Sequence, residues 1–65
     1  NGKVKTITPF YYGDINGIKK YFRQNGNLEK EETFKYDIQQ GETIYFDDSG
    51  KPVKTEIYYN GYLVE

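Results

Sequence analysis

The sequence predicts an all-β protein, an antiparallel up-and-down meander of repeated hairpins forming a single curled sheet of about five strands. Three observations carry that expectation. The chain contains no Ala, Met, Cys, His or Trp, while Tyr occurs 8 times and Phe 4 times, and ring-bearing and β-branched residues favour strand over helix. The sequence also repeats with a period of 24 residues, which aligns Gly2 with Gly26 and Gly50, Phe10 with Phe34 and Tyr58, and Gly13 with Asp37 and Gly61. Finally, "NGKVK", "NGNLE" and "SGKPV" write a turn pair at the same phase of each copy, and Asn-Gly between apolar runs is the strongest short-range hairpin signal.

The same offset sets Gly17 on Gly41, Tyr21 on Tyr45, Phe22 on Phe46, Asn25 on Ser49 and Glu32 on Glu56, with no insertion. Residues 1–16 are then a partial repeat, and 17–40 and 41–64 are two full repeats. The first copy opens in mid-repeat, the phase expected of a stretch from a longer array.

Taken in order, "IKKYF" from Ile18 and "LEKEETF" from Leu28 read as strands joined by Asn25-Gly26, and "ETIYF" from Glu42 and "VKTEIYY" from Val53 as strands joined by Ser49-Gly50. A two-residue type I′ turn opposes Gln24 to Asn27, Lys20 to Glu31 and Lys19 to Glu32. In the next copy it opposes Asp48 to Lys51 and Phe46 to Val53. Such cross-strand pairs contribute from a few tenths to about 1 kcal/mol each. A three-residue loop with a glycine bulge would instead set Lys20 across from Lys30, so the two-residue turn is expected. The connections around "YYGDING", "KYDIQQG" and "YNGYLVE" read as longer. Gly2, Gly26 and Gly50 are positive-φ turn positions.

Because 24 is even, equivalent residues of all copies fall on one face. One face collects Ile18, Phe22, Ile44, Phe46, Val53 and Ile57 and is expected to be the better core. The other collects Val4, Phe10, Tyr21, Leu28, Phe34, Tyr45 and Tyr58, diluted by Lys19, Lys30, Glu32 and Lys54. A single sheet leaves both uncovered, whereas a stable domain has two packed layers. The missing layer is expected from curling, self-association or flanking sequence.

Composition narrows the function. Leu, Ile, Val and Phe number 15 of 65, so the core is thin for a chain this short. Nine Lys and Arg are interspersed with 10 Asp and Glu, leaving no basic stripe for a phosphate backbone, and no nucleic-acid partner is expected. No apolar run approaches the ~18 residues of a membrane helix, so membrane contact is not supported by this segment. The absence of Cys leaves the compartment, and hence the localisation, unspecified. Without His or Cys the usual acid-base and thiol chemistry is missing, and no enzyme activity, cofactor or metal is expected. Glu29, Glu31, Glu32, Asp47 and Asp48 alternate between faces as solvated surface, and "DDSG" is turn chemistry.

Gly17, Tyr21, Phe22, Gly26, Glu32 and Phe34, repeated as Gly41, Tyr45, Phe46, Gly50, Glu56 and Tyr58, resemble the bacterial variant of the MORN repeat across essentially the whole chain. The closing Tyr58 to Gly61 is similar to that family's tyrosine, spacer, Asn-Gly ending. Tyr36-Asp37 stands where Asn-Gly is expected, and Lys19 and Thr43 stand where the family often has Trp. The resemblance implies a hairpin array serving as a binding or assembly surface, with antitoxin-like members in bacteria and scaffold-like relatives elsewhere, and it brings no catalytic residues. A second likeness, of "GETIYFDDSGKPV" to a cell-wall-binding repeat, implies an aromatic hairpin module gripping glycan.

The candidate ligand-binding residues are Tyr21 and Tyr45, as a tyrosine ladder on the second face, and Tyr11 and Tyr59, with Tyr12 and Tyr62, at strand ends where an exposed ring serves binding. The ladder also has a structural reading, packing on Leu28 and Phe34. The partner expected is a protein or a second copy. A closed dimer would join edge to edge or through Ile18, Phe22, Ile44 and Phe46, with Lys3, Lys5 and Glu65 discouraging open-ended growth.

Overall fold

The computed structural model describes residues 5–64. The readings of Gly2 as a turn glycine, of Val4 on the tyrosine face, and of Lys3 and Glu65 as edge charges lie outside the described residues. In chain order the strands are β1 (Lys5–Ile7), β2 (Phe10–Tyr11), β3 (Asp14–Ile15), β4 (Gly17–Phe22), β5 (Leu28–Lys35), β6 (Ile38–Phe46), β7 (Pro52–Tyr59) and β8 (Tyr62–Leu63). The fold is all-β, and the antiparallel meander expected from the repeat is present as an open six-stranded sheet in the order β1-β4-β5-β6-β7-β8. β2 and β3 form a separate two-stranded ribbon. The sheet therefore has one strand more than expected. No helix long and apolar enough to cross a membrane occurs among the described residues.

The ribbon is the first copy's version of the hairpin that β5 and β6 make without a break. Pro9 stands where the next copy has Thr33, and a proline has no N–H to give to a ladder. The first hairpin therefore splits, and the Pro9 carbonyl instead accepts the N–H of Asn16 at 3.0 Å. Facing it, Gly17 has φ +118°, and a Cβ there would come within 3.3 Å of the Pro9 ring.

The turns differ from expectation in both places. At Asn25-Gly26 the Gly26 N–H donates to the Arg23 carbonyl at 2.9 Å and the Arg23 N–H to the Asn27 carbonyl at 2.8 Å. That is a three-residue loop closed by a glycine bulge, with φ of +95° at Gly26 and no positive φ at Asn25. Asp47 to Lys51 repeats the pattern, so Lys51 lies opposite Asp47 rather than Asp48, and Phe46 opposite Pro52 rather than Val53. The tight two-residue turns are the connections expected to be longer. Tyr12-Gly13, Tyr36-Asp37 and Asn60-Gly61 each have positive φ at both positions, the requirement of a type I′ turn.

Lys20 nevertheless opposes Glu31, and Lys19 opposes Glu32. A bulge between the Tyr21 and Phe22 pairs adds Glu29 to β5, and an equivalent one adds Val53 to β7. Each restores the register that the longer loop displaces by one residue. The correction falls on Leu28, which pairs with Phe22 and so joins the Phe22 face rather than the Tyr21 face.

Successive repeats are stitched by recurring bonds. The Tyr36 N–H donates to Asn16 Oδ1 at 3.1 Å and the Asp37 N–H to the Ile15 carbonyl at 2.9 Å. One repeat later, the Asn60 N–H donates to Gln40 Oε1 at 2.8 Å and the Gly61 N–H to the Gln39 carbonyl at 2.9 Å. At the opposite rim Arg23 Nη2 donates to the Phe46 carbonyl at 2.6 Å, and Asn27 Nδ2 to the Asp48 carbonyl at 2.8 Å.

The enclosed region is not the aliphatic face. Among the described residues no hydrophobic side chain is fully buried, and Ile18, Val53 and Ile57 are exposed. Thr43, 1% exposed, is the one fully buried side chain among the described residues, and it lies on the tyrosine face, where its Oγ1 accepts a 2.8 Å bond from Gln39 Nε2. Long Lys, Glu and Tyr side chains lie over this face and cover it with their stems while keeping their polar ends wet.

Candidate functional site

Tyr21, Lys30, Tyr45 and Lys54 are consecutive cross-strand partners on β4, β5, β6 and β7, so the even repeat period places them in one row. The Lys30 Nζ lies 4.7 Å from the centre of the Tyr21 ring and 5.7 Å from that of Tyr45. Lys54 Nζ lies 5.5 Å from the Tyr45 ring, and Lys19 Nζ 5.3 Å from the Tyr21 ring. These are cation–π distances. The second row is Glu32, Thr43 and Glu56, and the two rows are bonded together. The Tyr21 hydroxyl donates to Glu32 Oε1 at 2.8 Å and the Tyr45 hydroxyl to Glu56 Oε1 at 3.1 Å. The other carboxylate oxygens pair with Lys30 and Lys54, each at 3.3 Å.

Burial and then the adjoining glutamates raise both tyrosine hydroxyls above their ordinary pKa, as expected where a phenolate would face a carboxylate in a partly dry site. For Lys30, burial works against the charge, but Glu32 outweighs it and the amine is raised. Of the candidate binding residues, Tyr21 and Tyr45 are thus brought together, with hydroxyls committed to glutamates and ring faces to lysines.

Tyr11 and Tyr59 lie elsewhere, on the rim made by the three type I′ turns. Tyr11 packs edge-on against Tyr12 with ring centres 4.5 Å apart, and Tyr59 opposes Tyr62 across the last hairpin. Phe10, Tyr11, Tyr12, Tyr36, Ile38, Tyr59, Tyr62 and Leu63 are all exposed there, Tyr12 at 90%. The β5-β6 and β7-β8 hairpins of the main sheet stand about 10 Å apart, two strand spacings, and the bond from the Asp37 N–H to the Ile15 carbonyl ties the β2-β3 ribbon to the β5-β6 turn, so this rim presents aromatic side chains at close intervals.

The sequence reading missed Tyr36 and Phe10 as rim residues. The 24-residue alignment of Tyr12, Tyr36 and Asn60 was the signal available for Tyr36. The rim carries a carboxylate pair as well. Asp37 Oδ1 accepts the Ile15 N–H at 2.6 Å. A hydrogen bond with Asp37, then the negative charge of Asp37, and last a little desolvation raise the Asp14 carboxyl above the ordinary carboxylate value.

No cluster of three or more His, Cys, Asp or Glu that could hold a metal ion occurs among the described residues. No protein-family model, no curated protein and no solved structure matches this chain.

Proposed function

We propose that the chain is a non-catalytic repeat module for protein–protein binding or assembly, antitoxin-like or scaffold-like in role, of the bacterial MORN-repeat type that its sequence resembles. The observation that carries this reading is backbone strain at exposed rings. Tyr12 and Tyr36 occupy positive φ, 51° at each, a position that suits Gly or Asn and costs a bulky side chain on the order of 1–2 kcal/mol. The equivalent Asn60 shows that the turn accepts the easier residue. Holding two large exposed rings on one rim at that cost is what a contact surface requires, because tyrosine buries a large rigid area on binding. Assembly with a second copy would use the open face of Ile18, Phe22, Ile44 and Phe46, whose second layer is missing.

The same rim supports a second reading, as a cell-wall or glycan-binding aromatic hairpin repeat, because exposed rings can stack on sugar faces. Two measurements on the whole chain separate them: retention on insoluble peptidoglycan and chitin, and titration of polypeptide ligands selected from a displayed library. Protein binding predicts a saturable polypeptide ligand whose affinity falls about tenfold or more in the Tyr12→Ser, Tyr36→Ser double variant, with no polysaccharide retention. Retention that soluble oligosaccharide displaces, and that the same variant loses, would replace it with the glycan reading.

A further inference from the structure

We propose that Asn25 is a self-modification site, at which the Gly26 backbone nitrogen closes on the Asn25 side-chain amide and converts the residue to aspartate and isoaspartate. The reaction is independent of what the tyrosine rim binds. The nitrogen forms a bond to Asn25 Cγ, the Cγ–Nδ2 bond breaks, and ammonia leaves with the proton that Gly26 gives up. Water then opens the cyclic imide, giving aspartate when it attacks Cγ and isoaspartate when it attacks the main-chain carbonyl. Asn-Gly favours this closure, because glycine has no Cβ to crowd the ring. Among the described residues the pair occurs at Asn16-Gly17, Asn25-Gly26 and Asn60-Gly61, and the fold holds the three differently.

Asn25 and Gly26 are exposed at the tip of the three-residue loop. No atom beyond the chain neighbours lies within 4 Å of where a Gly26 Cβ would stand, so the closing ring has room. The bonds that hold the pair are local, from the Gly26 N–H to the Arg23 carbonyl and from the Asn27 N–H to Asn25 Oδ1, both at 2.9 Å. The first must open for the nitrogen to turn inward, and it lies within the loop itself, where local opening is easiest. The second assists, since the Asn27 N–H is held on the oxygen where negative charge develops as Cγ is attacked. Asn16, by contrast, is half-buried and tied on both sides. Its N–H donates to the Pro9 carbonyl at 3.0 Å, its Oδ1 accepts the Tyr36 N–H at 3.1 Å, and Gly17 pairs with Phe34 across β4 and β5. At the third pair the Asn60 N–H donates to Gln40 Oε1 at 2.8 Å and the Gly61 N–H to the Gln39 carbonyl at 2.9 Å, so turning that peptide breaks two bonds to the neighbouring hairpin. The next copy of the Asn25 loop is an internal control. The Gly50 N–H donates to the Asp47 carbonyl at 2.9 Å as Gly26 does to Arg23, but Ser49 stands in the place of Asn25 and has no side-chain carbonyl to attack. The product matters to the fold. Isoaspartate carries the main chain through Cγ, one atom longer, which displaces Asn27 and its 2.8 Å bond to the Asp48 carbonyl of the next hairpin.

The test is incubation of the whole chain in mildly alkaline buffer, with peptide mapping by mass spectrometry at successive times and isoaspartate identified by enzymatic methylation. Asn25 is expected to convert first and to both products, with Asn16 and Asn60 about tenfold slower or more, the factor that two net hydrogen bonds represent. In concentrated urea, where those bonds are gone, the three rates should converge. Asn25→Ser, which writes the residue of the next copy, should abolish the reaction in that loop with an unchanged circular dichroism spectrum. Should that variant fail to fold, site mapping on the unsubstituted chain decides. The isoaspartate form, separated by chromatography, should unfold at lower urea than Asn25→Asp, which carries the same charge on an ordinary main chain. Conversion of Asn16 or Asn60 as fast as Asn25 in the folded chain, or aspartate forming without isoaspartate, would overturn the proposal. Equal urea midpoints for the isoaspartate form and Asn25→Asp would overturn the effect on the rim.

Discussion

The two rims of the sheet are built by the same 24-residue period and do opposite things with their polar groups. At the rim of the three-residue turns, side chains reach from one hairpin to the next. Arg23 donates to the Phe46 carbonyl and pairs with Glu29 and Asp48, Asn27 donates to the Asp48 carbonyl, and Asp47 Oδ1 accepts from the Ser49 N–H, the Ser49 hydroxyl and the Lys51 N–H at 2.8–3.0 Å. At the rim of the type I′ turns the bonds between hairpins are donated by backbone N–H groups, to the side-chain oxygens of Asn16, Asp37 and Gln40 and to the Ile15 and Gln39 carbonyls, and the aromatic side chains stay exposed. One rim spends its side chains on cohesion. The other is held by polar side chains and carbonyls that accept from main-chain N–H groups, and its exposed rings, including the strained Tyr12 and Tyr36, form none of these bonds.

The largest way to break this contrast is at Arg23. Its guanidinium is mostly covered and serves a carbonyl of the next hairpin at 2.6 Å. Arg23→Met keeps much of the stem but loses a charged hydrogen bond, and should destabilise the chain by about 2 kcal/mol in urea unfolding. An unchanged midpoint would mean that the polar rim does not hold the hairpins together.

Next in size is the glycine bulge. Gly26 and Gly50 have open space where a Cβ would go, but φ of +95° and +91°. Gly26→Val should therefore cost about 1–2 kcal/mol by backbone strain alone, read as a lower unfolding midpoint. The type I′ rim should respond in the other direction. Tyr36→Asn substitutes a residue tolerant of positive φ and keeps the N–H that donates to Asn16, so it should stabilise by about 0.5–1 kcal/mol while weakening ligand binding at the rim. A loss of stability would show instead that the ring is a structural element.

These variants bear on what was legible in the residues. The pairing of Lys20 with Glu31 and Lys19 with Glu32 could be read because the period is even and the charges are complementary. The turn type could not. A three-residue loop followed by a one-residue bulge gives the same register as a two-residue loop, and only the residues between the two features, Leu28 above all, change face. The core was misread for a related reason. Aliphatic residues were weighed above tyrosine, yet Tyr21 and Tyr45 can cover a face because Lys30 and Lys54 lie on their rings and glutamates take their hydroxyls. For the candidate site, Tyr11 and Tyr59 were placed by their position at strand ends. Tyr36 was not, because Tyr-Asp does not announce a type I′ turn as Asn60-Gly61 does.

The smallest expected effect distinguishes the rims by pH. Backbone hydrogen bonding from Lys51, then the Ser49 hydroxyl, hold Asp47 below the ordinary carboxylate value. A depressed folded pKa contributes stability that is present above the unfolded value and lost as pH falls through the folded one. The Asp47 cap should therefore strengthen the polar rim at neutral pH and fail in acid, below about pH 4. Asp14 has the opposite sign. Its carboxyl is raised beside Asp37, so its contribution is most favourable in acid and is lost as pH rises through the folded value. Asp14→Asn should accordingly raise the unfolding midpoint at pH 7 and leave it unchanged at pH 3. Asp47→Asn should lower it at pH 7 and have little effect at pH 2. Thermal unfolding of both variants and the parent between pH 2 and pH 7 would measure this. Parallel pH profiles for the two substitutions would show that the carboxylates of the two rims are not differently held, and that the contrast between the rims lies in their apolar side chains alone.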